Sequence, residues 1–164
     1  MSFLETLTRY CTKVLAFVAG LSLAAMVLLT CANILLRLVW LPIRGTFELL
    51  GMFGAVAASF ALAYTQAHRM HIAVDILVDR FASRTRRVLT IINGLFCMTF
   101  FGLAAWQIVM WSNVLVEEGE LTETLQIPFY PFTYATALGC AVLALVFLTE
   151  ILRLFFPKPQ EDDQ

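Results

Sequence analysis

Four long apolar runs divide this sequence, and most of its charged residues fall between or beyond them. The runs cover residues 14–36, 47–67, 88–116 and 132–156. A helix needs about 20 apolar residues to cross the ~30 Å hydrocarbon core of a bilayer. Each run meets that length, and the longer ones leave room for tilt or for projection beyond the core. Lipid offers a backbone amide no partner, so a spanning run must satisfy its own hydrogen bonds as a helix. A membrane β-barrel would instead show many short segments of alternating polarity, which this sequence lacks. Composition agrees: 60% of residues are apolar and 14% charged, against roughly half and a quarter in soluble domains. The expected fold is all-α, a single integral membrane four-helix domain over residues 1–156. A short acidic tail, expected to be disordered, follows at 157–164.

Orientation is read from Lys and Arg. The connection between the second and third runs carries Arg69, Arg80, Arg84, Arg86 and Arg87. With Arg9 and Lys13 before the first run, and Arg153 and Lys158 at the C-terminal end, nine of the eleven basic residues share one side. Only Arg37 and Arg44 fall on the other. The positive-inside rule therefore places both termini and the middle loop in the cytoplasm. Trp40, Trp111 and Tyr130 then share the outer interface, where amphipathic rings prefer to sit. Within the middle loop, Val74, Leu77, Val78 and Phe81 recur at helical spacing opposite Asp75, Asp79 and Arg80. This suits a short amphipathic helix on the inner interface. Met70, Ile72, Val74 and Ile76 also alternate, which suits an extended stretch equally well. The first run is expected to be a membrane helix and not a cleaved leader, since it is long and lacks a clear small-residue cleavage site.

The second helix has a distinctive pattern. Gly51, Ala55, Ser59, Ala63 and Ala67 recur every four residues, a ladder of small side chains that lets another helix approach closely. It serves either packing within the four-helix unit or contact with a separate membrane subunit. Arg37 ends the first helix and Glu48 opens the second, with Asn33 one turn below Arg37. Arg37 and Glu48 can pair across the outer connection, or each can snorkel to water. Pro128 and Pro131 mark the entry to the fourth helix, where a missing N–H costs little.

No catalytic constellation is present: no Gly-rich phosphate loop, no HExxH and no GxSxG. His68 and His71 are the only histidines, three residues apart at a helix end, and do not make facing haem ligands. Cys11, Cys31, Cys97 and Cys140 are widely spaced, without a CxxC pair, and read as small apolar side chains. No run carries a mid-membrane Asp, Glu, Lys or Arg, and none is broken at its centre by Gly-Pro. Complete secondary transporters usually show broken helices and repeats around a midplane site. The chain is therefore not expected to be an enzyme, to hold a metal or cofactor, or to be a complete transporter.

Asn33-Ile-Leu-Leu-Arg37, then Pro42, Gly45 and Glu48, a small-residue helix, His71-Ile-Ala-Val-Asp75, and Leu125-Gln-Ile-Pro128 follow one another in that order. Together with the length and the four spans, they resemble the small membrane subunit of tripartite ATP-independent periplasmic (TRAP) transporters, over nearly the whole chain. The family often carries a basic residue near Gly51 and at Ala73, and a Trp where Tyr130 stands. The resemblance implies a bacterial inner-membrane protein with two partners. One is a large membrane subunit that binds substrate and sodium. The other is a periplasmic solute-binding protein. The small subunit is then a scaffold for the large one and part of the docking surface for the binding protein. Substrates are then organic anions such as carboxylates. The acidic outer loop with Glu117, Glu118, Glu120 and Glu123 becomes either a docking patch or a merely solvated connection. Rival expectations are a stand-alone proton-coupled transporter using Glu48, and a haem- or quinone-associated membrane anchor.

Overall fold

A computed structural model describes the backbone of residues 2–39, 43–68 and 83–155, and the side chains of 6–39, 43–68 and 88–152. It contains four helices: α1 (Ser2–Leu38), α2 (Thr46–Ala67), α3 (Ser83–Glu118) and α4 (Tyr130–Phe155). All four are long and apolar enough to cross a membrane. Each apolar run of the sequence lies along one of them, the last as far as residue 155. The middle-loop segment holding His71 and Asp75, and the acidic tail, lie outside the described residues.

Two helices overrun their apolar stretches. At 37 and 36 residues, α1 and α3 are each about 55 Å long at 1.5 Å per residue. Hydropathy ends a span, but only a stop signal ends a helix. Residues 2–13 and 83–87 contain no Gly or Pro, so nothing breaks the helix where the charges begin. Stops appear at the opposite end. Gly119 follows α3 with φ +64°, and the Glu120 N–H donates to Leu115 O at 3.2 Å, the six-to-one bond of a Schellman cap.

The helices pack as two antiparallel hairpins, α1 with α2 and α3 with α4, joined mainly through α2 and α4. These two run parallel and side by side. Phe53 meets Phe132 edge to face at 5.8 Å between ring centroids. One to two turns further, Ser59 and Phe60 close on Gly139. At the far end, the Gln66 amide donates to the Glu150 carboxylate at 2.9 Å. The core gathers Leu15 and Ala19 from α1, Val56, Phe60 and Ala63 from α2, and Leu143 and Phe147 from α4. From α3, Phe101 stacks on Phe147.

Small hydroxyl residues enter this core by bonding to their own helix. Thr12, Ser22, Ser59 and Ser112 donate to the carbonyls of Thr8, Val18, Val56 and Ile108 at 2.8–3.1 Å. Such back-bonding lets a polar side chain sit in an apolar setting without an orphaned group. Among the described residues, no buried side-chain polar atom lacks a partner.

Candidate functional site

At one end of the bundle the α1–α2 and α3–α4 connections meet. The first connection is held from within. The Asn33 side chain accepts a hydrogen bond from the Ile43 N–H at 3.0 Å, and the buried Thr46 hydroxyl donates to Ile43 O at 2.8 Å. Gly45 then turns the chain into α2 with φ +74°, a left-handed conformation that costs a residue with a Cβ roughly 1–2 kcal/mol. No side chain caps the start of α2.

The second connection, residues 119–129, folds on Thr122. The Thr122 N–H donates to Ile127 O at 2.9 Å, and Gln126 N–H donates to Thr122 O at 3.1 Å. The Thr122 hydroxyl oxygen accepts from Ile127 N–H at 3.0 Å. Leu121 and Pro128 face each other in an antiparallel bridge. Gln126 takes a left-handed φ of +51° to close the turn. Thr122 is only 2% exposed, so this turn is built around a buried threonine. Beyond it, Pro131 occupies the first turn of α4, where its missing N–H is no loss.

Among the described residues, a polar and an apolar contact join this turn to the start of α2. The Glu48 carboxylate, in the first turn of α2, accepts the backbone N–H groups of Thr124 at 2.8 Å and Leu125 at 3.2 Å. A carboxylate is favoured there by the positive end of the helix dipole, and two successive amides give it charge-assisted bonds. Beside this polar contact, the Leu125 side chain lies directly on Gly45. A Cβ at position 45 would overlap its branch atoms.

Of the two arrangements open to Arg37 and Glu48, pairing or separate surroundings, they take the second. Among the described residues, no ion pair links Arg37 to Glu48. Arg37 is exposed, and Glu48 reaches across the chain instead. Asn33 fixes the connection itself. The physical reason is geometry: two adjacent amides of a tight turn offer Glu48 fixed donors, whereas an exposed long side chain loses rotamer freedom to form a weak surface pair.

The small-residue ladder also divides. Ser59 and Ala63 are buried and Ala67 half-buried, but Gly51 and Ala55 are exposed. A Cβ added at Gly51 would meet nothing within 4 Å. Each step of four residues advances about 40° beyond a full turn, so the ladder winds out of the core within three steps. Sequence reasoning missed the partner of its buried half, Gly139. A Cβ there would stand 2.8 Å from both Ser59 and Phe60. An isolated glycine inside an apolar helix was the available signal. Thr122 was missed as well, and nothing in spacing marks it.

Glu117, Glu118, Glu120 and Glu123 are all exposed, around the folded turn. This end of the bundle, the clasp end, where Glu48 and Gly45 clasp the 119–129 turn, therefore offers fixed backbone geometry and a cluster of exposed carboxylates, with Glu48 engaged by two backbone amides. Among the described residues, no group of three or more His, Cys, Asp or Glu is placed to hold a metal ion.

Residues 26–156 match the family model described as "Tripartite ATP-independent periplasmic transporters, DctQ component". No curated protein and no solved structure matches the chain.

Proposed function

The chain belongs to the DctQ component family of tripartite ATP-independent periplasmic transporters, and from that membership we propose that it braces the large transport subunit and helps dock the periplasmic solute-binding protein. It is a transport component and not an enzyme. Partners of two further kinds follow from the tripartite organisation. In this reading they carry the substrate, an organic anion such as a carboxylate, and the coupling sodium. Both termini lie in the cytoplasm of a bacterial inner membrane, so that the clasp end faces the periplasm. The bias of nine basic residues among eleven supports this orientation.

The observation that carries the docking role is the acidic rim of the 119–129 turn. Glu117 and Glu118 sit in the last turn of α3, which contains no basic residue. Carboxylates are disfavoured at the negative end of a helix dipole. A local rule broken without local compensation points to a function elsewhere. The rim complements basic groups on a binding protein and steers its approach. The bracing role is supported by the flanks. α1 and α3 expose large apolar side chains, among them Phe17, Leu28, Phe96 and Trp106. The open half of the α2 ladder, Gly51 and Ala55, offers close approach to a partner helix.

Replacing Glu117, Glu118, Glu120 and Glu123 together with Gln tests docking. Expected is slower association of the binding protein with the small–large subunit complex, and a flatter salt dependence. Unchanged association and salt dependence would remove the docking role. The bracing role is checked by purifying the tagged chain in mild detergent. A stoichiometric large membrane subunit supports it, and a chain that purifies alone in several detergents and nanodiscs argues against it.

A further inference from the structure

Resting on that docking role, we infer that Glu48 is a positioning residue, whose carboxylate fixes the shape in which the 119–129 turn is presented to the binding protein. The turn's own bonds, all centred on Thr122, set its internal shape but not its attitude to the bundle. That attitude is set at two points on the α1–α2 connection. One is polar, the Thr124 and Leu125 amides on Glu48. The other is apolar, Leu125 on Gly45. The Thr124 amide carries the shorter of the two bonds and adjoins exposed Glu123. A carboxylate holding that amide therefore holds the charge beside it.

Glu48 is also half-buried and engaged by two amides at once, so it is not itself a free docking charge. Its role differs in kind from that of the rim. Rim charges act while the partner approaches, and so govern the association rate. A preorganised loop has already lost the freedom that binding would remove, and so governs how long the complex lasts. The two roles are separable by kinetics.

The test uses the small–large subunit complex in nanodiscs and the system's own binding protein, fluorescently labelled. Expected for Glu48→Ala is a dissociation rate raised about tenfold with the salt dependence of association largely kept. Glu48→Gln removes the same charge but keeps one acceptor oxygen, so it should lie between Ala and the native residue. Gly45→Ala changes no charge, yet displaces Leu125, and should raise dissociation as Glu48→Ala does. Amide hydrogen exchange at Thr124 and Leu125 should quicken in Glu48→Ala, and co-purification with the large subunit reports that each variant is folded. Native dissociation rates in both Glu48→Ala and Gly45→Ala, with the four-glutamate variant still slow to associate, overturn the positioning role and leave docking intact. Native association in the four-glutamate variant overturns docking and this inference with it.

Discussion

All four helices are apolar enough to cross a membrane, yet the inner pair and the outer pair live in different surroundings. In α2 and α4, 39% and 28% of the spanning window is buried within the chain; in α1 and α3 the shares are 17% and 11%. The most apolar window of the four belongs to α1. Hydropathy therefore does not rank the helices by burial, because lipid is as good a solvent for Leu as a protein core is. What distinguishes the inner contact is close approach at a small residue. Where α2 meets α4, Ser59 and Phe60 face Gly139. Where α1 and α3 look outward, the side chains are Phe17, Leu28, Phe96 and Trp106. Close approach between helices, and not greasiness, marks the inside of this protein.

Substitutions that add volume can break that contrast. The largest effect is expected from Gly139→Leu, since Ser59 and Phe60 leave no room even for a methyl group. A loss of ~3 kcal/mol follows from overpacking, read as a lower unfolding temperature of the purified chain in detergent. Ala63→Leu, at a site with no exposure at all, should cost ~2 kcal/mol by the same assay. Gln66→Leu removes the amide bonded to Glu150 across the α2–α4 contact. Interhelical hydrogen bonds in membranes average ~0.6 kcal/mol, and a double-mutant cycle with Glu150→Ala would measure this one. Smallest of all should be Gly51→Leu and Gly102→Leu, both at positions where an added Cβ meets nothing within 4 Å. Within the isolated chain they should stay inside ~0.5 kcal/mol. If Gly51→Leu lowers the unfolding temperature as far as Gly139→Leu, the division of the α2 ladder is wrong. If it spares the chain but abolishes co-purification with the large subunit, the open half of the ladder is the partner's seat.

Much of this architecture was legible in the sequence. The four helices announced themselves by run length, and Pro128 and Pro131 fell at the entry to α4. The overrun of α1 and α3 was not legible from hydropathy, because the charged residues 9–13 and 83–87 can continue a helix after they have left lipid. The ladder was legible as a pattern but not as a surface. A repeat of four does not match a pitch of 3.6, so one motif serves two faces. The site was harder to read. Arg37 and Glu48 are neighbours in sequence, which invites pairing them. The partners Glu48 actually holds lie 76 and 77 residues away, and no local spacing encodes a contact of that kind. Gly45, Glu48 and Leu125 are three of the residues that carry the family resemblance, and the structure brings them together.

That separation has a consequence in time. Glu48 is synthesised 76 residues before Thr124, an interval on the order of ten seconds at ordinary rates of translation. Throughout it the first hairpin can form its own contacts, but the carboxylate has none of its eventual partners. They arrive only with the connection that follows α3. They reach Glu48 only if the second hairpin has inserted with the same orientation as the first. A second hairpin threaded upside down would leave that connection on the opposite face of the bilayer, and the clasp would stay open. Its closure is thus the first event in the life of the chain that checks the crossing of α3 against those of the first hairpin.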